Sequence, residues 1–156
     1  MRARHILLAL ALVVPTVACD NTTEPSDVET RSIEDFENGM TCDSDDGAFR
    51  VQLWSDSGEI AVGRNDLILR LGFHDPADPS DPGRGIPGAR IDIDAWMPAA
   101  DQAMQTEPSI AYMGDGQYRI ENVVLSDEGV WNFDFEVRIG ENMHESISLA
   151  FEVEGI

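Results

Sequence analysis

Apolar and polar residues alternate with a period of two in several stretches between residues 49 and 153. This is the signature of strands with one face on a core and the other toward water. Phe49, Val51 and Leu53 alternate with Arg50, Gln52 and Trp54. Leu67, Leu69, Leu71 and Phe73 alternate with Ile68, Arg70 and Gly72. Ile91, Ile93 and Ala95 alternate with Arg90, Asp92, Asp94 and Trp96. Pro98 has no N–H, so this third strand must stop there or lie at an edge. A short fourth candidate, residues 109–113, closes on Gly114-Asp115-Gly116, where glycine supplies the positive φ of a hairpin turn. Residues 118–125 form a fifth. The sixth has the strongest pattern, with Trp131, Phe133, Phe135, Val137 and Ile139 against Asn132, Asp134, Glu136 and Arg138. The seventh, after Gly140-Glu141-Asn142, turns Ile147, Leu149, Phe151 and Val153 inward. No stretch has helical spacing. Seven short strands separated by turn residues predict an all-β fold, an immunoglobulin-like β-sandwich of about seven strands. The sixth strand is its expected centre. The Cys…Trp…Cys pattern of antibody domains is absent.

The remaining segments predict three parts: residues 1–18, 19–41 and 42–156. Residues 1–5 form a short basic lead, and residues 6–14 are unbroken Ile, Leu, Ala and Val. That run is shorter than the roughly 20 apolar residues of a membrane-spanning helix and has the length and flanks of a secretory signal. Thr16-Val17-Ala18-Cys19 resembles the bacterial lipobox, in which a small residue precedes a cysteine that is acylated and becomes the new N-terminus. The expectation is lipidation at Cys19 and attachment to the bacterial cell envelope, on its periplasmic or outer-surface side. Several acyl chains at ~0.8 kcal/mol per buried CH₂ make such an anchor durable. Residues 20–39 are polar and acidic without apolar period, as in a flexible tether, with Ile33 and Phe36 placed to dock on the domain. With Cys19 lipidated, Cys42 is the single remaining cysteine, expected as a half-buried thiol near the first strand.

Charge narrows the partners. The chain carries 30 acidic residues against 10 basic ones, all arginine, for a formal −20. Removing residues 1–18 takes away two arginines and no acid, lowering it to −22. Such a surface disfavours nucleic acid and anionic headgroups. Asp92, Asp94, Asp134 and Glu136 crowd like charge onto the polar strand faces.

Two acidic loops carry the oxygen donors that hard cations prefer. Asp43-Ser44-Asp45-Asp46-Gly47 opens like a calcium loop, but its glycine comes fifth rather than sixth and Trp54 occupies the twelfth position, so the match fails. Asp75, Asp78 and Asp81 alternate with prolines in a polyproline-II rhythm, about 9 Å apart at ~3.1 Å per residue, too far to share one ion. No Ser/His/Asp or Cys/His constellation, phosphate loop or HExxH motif points to an enzyme.

Short elements in order across residues 49–153 resemble the YtkA-like family of bacterial envelope domains, related to FixH-type proteins. They are Gly63-Arg64-Asn65-Asp66, Pro87-Gly88-Ala89-Arg90, Ala95-Trp96-Met97-Pro98, Glu107-Pro108, Gly116-Gln117-Tyr118, and Val123-Val124-Leu125-Ser126 followed by Gly129-Val130-Trp131. The resemblance implies an immunoglobulin-like sandwich and a non-enzymatic envelope role, with copper handling or oxidase assembly suggested for some relatives. Those relatives follow Met-Pro with histidines, where this chain has Ala99, Ala100, Asp101, Gln102 and Ala103. Soft metals need thioether, thiolate or imidazole donors. Met97, Met104, His74 and His144 are the candidates left. The expectation is therefore no cofactor, with copper as the alternative. The expected partners are the membrane, through the lipid anchor, and an envelope protein met through Trp96 and Trp54.

Overall fold

The computed structural model describes residues 32–73, 77 and 83–155. These residues form two antiparallel sheets packed as a sandwich. The strands are β1 (Met40–Asp43), β2 (Phe49–Ser55), β3 (Gly63–Phe73), β4 (Arg90–Met97), β5 (Gln102–Ala103), β6 (Ser109–Gly114), β7 (Gln117–Leu125), β8 (Gly129–Ile139) and β9 (Met143–Val153). One sheet has the order β1-β2-β3-β7-β6 and the other β5-β4-β8-β9. The all-β, immunoglobulin-like expectation holds, and the seven expected strands are present as β2, β3, β4, β6, β7, β8 and β9.

Two short strands add to them. β1 places Cys42 opposite Val51, so pairing reaches back to Met40, into the acidic stretch expected to be tether. β5 arises because Pro98 ends β4 by opening a 3₁₀ turn, Pro98–Ala100, where its fixed φ and missing N–H cost nothing. Asp101, at φ 49°, reverses the chain, and Gln102 and Ala103 pair back onto Met97 and Trp96.

The alternating residues fill one core. Trp131, Phe133, Phe135 and Val137 of β8 are fully buried, together with Phe49 and Leu53 of β2 and Leu67, Leu69 and Leu71 of β3. The Phe133 and Phe151 rings meet edge-on with centroids 5.4 Å apart. Asn132, expected on the water side, is buried instead, because it lies directly opposite Trp96 on β4 and Ala150 on β9.

The sheet edges are treated unequally. β9 is covered at three points. Glu34 donates its N–H to the Ala150 carbonyl at 2.9 Å, Asp45 to Ser146 at 2.9 Å and Val62 to Glu154 at 3.3 Å. Beside Glu34, Phe36 sets its ring edge-on to Phe151 at 5.6 Å. β6 ends the other sheet without such cover among the described residues.

Candidate functional site

Residues that carry the family resemblance hold loops in place. Asn65 is buried before a register shift in β3. Its side-chain oxygen accepts the Ala61 N–H at 3.0 Å, and its amide donates to the Ala61 and Gly63 carbonyls at 2.8 and 3.2 Å. Asp66 accepts the Asn122 N–H at 2.9 Å, and that bond, with Arg64 beside it, holds the carboxyl below its ordinary range. Tyr118 clasps the loop before β4: its hydroxyl donates to the Ile86 carbonyl at 2.7 Å and accepts the Ala89 N–H at 2.9 Å. Burial pushes the Tyr118 hydroxyl pKa up. Trp131 donates its ring N–H to the Asp127 carbonyl at 3.0 Å, closing the loop into β8. Gly129 takes a positive φ of 127°, which favours glycine, at the start of β8.

The soft donors are placed apart. Met97 is 5% exposed in the core, and Met104 packs on the same core while its N–H bonds the Ala95 carbonyl at 2.7 Å. The two thioethers therefore share the inner side of the β4–β5 corner. His144 lies at the other end of the sheet, on its outer surface, with Nε2 2.9 Å from the Glu136 carboxylate. His144 pairs with Arg138 and Arg138 with Arg90, seven residues from Met97 along β4, or roughly 23 Å at ~3.3 Å per residue. His144 and the methionines cannot share an ion. His74 and Cys19 lie outside the described residues. Among the described residues, no group of three or more His, Cys, Asp and Glu is placed to hold a metal.

Cys42 is a half-buried free thiol on β1. Desolvation, then the nearby Glu34 and Asp43 carboxylates, push its pKa up to about 12. Its thiolate is scarce at neutral pH, which makes it a poor nucleophile and metal ligand. The Asp43–Gly47 run is a tight turn between β1 and β2. Asp43 takes the Arg50 guanidinium in two bonds of 2.6 and 3.0 Å, and Ser44 accepts the Phe49 N–H at 3.0 Å.

A concave surface lies on the outer face of the β4–β8–β9 sheet. A groove of about 500 Å³ is lined by Asp45, Asp92, Asp94, Asp134, Glu136, Ser146 and Ser148. Alternation along β4 and β8 made its carboxylates legible. Asp45 joins them through its backbone bond to Ser146, a contact between distant parts of the chain that no local pattern records. Asp92 stands directly opposite Glu136, and Asp94 opposite Asp134. Arg138 and His144 bond to Glu136 and hold its carboxyl below the ordinary range, with His144 the larger influence. The groove can attract cationic groups, and within it the Ser148 hydroxyl donates to the Asp134 carboxylate at 2.8 Å. Trp96 lies on this sheet and Trp54 on the other, and both alternate with buried neighbours, so their rings face outward on opposite sides of the sandwich. They do not form a single patch.

No curated protein matches the chain. Among solved structures it is similar to FetP of uropathogenic Escherichia coli. A copper-bound variant of FetP matches with a TM-score of 0.51 at 9% identity, over 80% of this chain and 100% of that one. FetP as isolated, after recombinant expression in the periplasm, matches with a TM-score of 0.50 at 8% identity, over 80% and 99%. At such identities the likeness is one of fold. No helix among the described residues is long and apolar enough to cross a membrane. The model of the YtkA-like family matches residues 46–136, from the turn before β2 into β8, and the chain belongs to that family.

Proposed function

We propose that the protein is a non-enzymatic module of the bacterial envelope, anchored through lipidated Cys19 and acting by contact with another envelope protein. The observation that carries this reading is how the family-like residues are used. Asn65, Tyr118 and Trp131 spend their polar atoms on backbone groups of the fold itself. What is left to act is the surface around them: the acidic groove, the outward tryptophans and the open strand edge.

Affinity capture from membranes, with the native anchor and mass spectrometry of the eluate, tests this. The expected result is one envelope protein enriched over an unrelated lipoprotein carrying the same leader, with acyl chains on Cys19 by intact mass. An eluate matching the control, or a bare Cys19, overturns it.

The likeness to copper-bound FetP favours a second reading, copper handling in the periplasm. The described donors fit it poorly, since Met97 lies in the apolar core with Met104 half-buried against it, and both are away from His144. Titration with Cu(I) decides: tight binding lost on changing Met97 and Met104 together supports copper, and unchanged or absent binding removes those two residues from it.

A further inference from the structure

We infer that β6 is a docking edge for an extended, basic-flanked peptide segment of a partner, which adds a sixth strand to the five-stranded sheet. This rests on the contact reading above and names its surface and the chemistry that fits.

β6 is a terminal strand, so alternate residues turn N–H and C=O away from β7. Natural edges are commonly blunted by charged side chains or by covering chain. β9 has the covering chain, whereas residues 109–114 carry no Asp, Glu, Lys, Arg or His and no such cover among the described residues. Tyr112 is 48% exposed and Met113 52%. Regular pairing with β7 runs from Ser109 to Tyr112, with Pro108 before it and a register shift after it, so the open edge is short and bounded.

Across from it, β4 is also open. Its strand partner on that side, β5, reaches only Trp96 and Met97. Between the two open edges runs a groove of about 230 Å³ lined by Ile91, Ile93, Pro108 and Ile110, with Asp92 and Glu107 at its rim. A strand laid against β6 places alternate side chains over this apolar groove, as in other strand-addition complexes.

Charge selects the occupant. Glu107 lies before the neutral edge and Asp115, also exposed, after it. Pairing two copies of β6 antiparallel would bring the Glu107 end of each against the Asp115 end of the other, between two strongly acidic chains. A segment with arginine or lysine at both ends meets those carboxylates favourably, and that charge also speeds its encounter.

The test uses the processed protein purified from cells and a nine-residue synthetic peptide, Arg-Arg-Thr-Val-Thr-Val-Thr-Arg-Arg. A second peptide has the same sequence with alternate backbone nitrogens methylated on one edge. Amide NMR shifts are expected to move at residues 109–112 and 91–93. The methylated peptide should bind at least roughly tenfold more weakly, because main-chain pairing supplies the affinity. Binding should weaken as salt rises. Equal affinity of the two peptides overturns the inference, as do shifts confined to the Asp94–Asp134 face, no binding at millimolar peptide, or self-association of the protein through β6. Met113→Ser is expected to weaken binding without changing the melting temperature. A captured envelope partner that cross-links elsewhere leaves the contact reading standing while this edge assignment falls.

Discussion

The two faces of β8 share a backbone and differ in almost everything else. On the inner face Trp131, Phe133, Phe135 and Val137 are all fully buried. On the outer face Asp134 and Glu136 stand directly opposite Asp94 and Asp92, like charge against like charge. Burying three aromatics at ~1.5–3 kcal/mol each is comparable to the roughly 5–15 kcal/mol that keeps a domain folded. Opposed like charges on a solvated sheet cost only about 0.2–1 kcal/mol per pair. The dry side can therefore fix the strand while the wet side carries a charge arrangement that works mildly against folding. Surface charge on this sheet is free to serve solubility or contact because its effect on stability is small beside that of the core.

Exchanging the chemistry of the two faces breaks the comparison most sharply. Phe133→Asp is expected to abolish folding. It forfeits about 3–5 kcal/mol of packing and leaves a carboxylate in the core with no partner. The mirror change, Asp134→Leu, is expected to fold and melt cooperatively. Circular dichroism of both reads the outcome, and a cooperative melt from the Phe133→Asp protein would unseat β8 as the centre of the core.

A subtler change probes the dry side without altering its shape. Tyr118→Phe removes the hydroxyl that serves both Ile86 and Ala89 and leaves the buried Ile86 carbonyl and the half-buried Ala89 N–H unpaired. The expected loss is about 1–3 kcal/mol by urea denaturation. Because folding raises the Tyr118 pKa, the stability it contributes is whole below the ordinary tyrosine pKa and drains away as pH climbs through the raised one. The alkaline limb of the stability curve should flatten in the Phe variant.

The wet side gives smaller effects. Screening should raise the melting temperature between about 10 mM and about 0.5 M NaCl. Asp134→Asn, which keeps an acceptor for the Ser148 hydroxyl, should gain a few tenths of a kcal/mol and flatten that salt response. A wild-type melting temperature indifferent to salt would show that the opposed carboxylates are already neutralised. The smallest effect belongs to Glu136. His144→Gln should return its titration toward the ordinary carboxylate range, read by NMR of the side-chain carboxyl. In the wild type, the depressed pKa means this carboxylate supports folding above its ordinary pKa and ceases to as pH falls through the lowered one.

The sequence on its own determined what depends on neighbours along the chain. The period of two assigned seven strands and the inward residues of β8 and β9, because a pleated strand sorts its side chains by parity whatever it packs on. Two places escaped it. β1 is four residues long and its inward side is only half-buried, so Met40 reads as part of an acidic tether until β2 pairs with it. Asn132 reads as solvent-facing by parity and is buried because Trp96, thirty-six residues away in sequence, lies opposite.

Function divided in the same way. The like charges of Asp92, Asp94, Asp134 and Glu136 were visible in the alternation, and the family motifs were visible as short strings. Only the tertiary structure showed that those strings are clasps, that Trp54 and Trp96 point to opposite sides, and that His144 stands far from Met97. It also decided which edges are covered and which is left open. Each of these depends on pairing between strands distant in the chain, and local alternation fixes which face a residue takes without fixing what lies across from it.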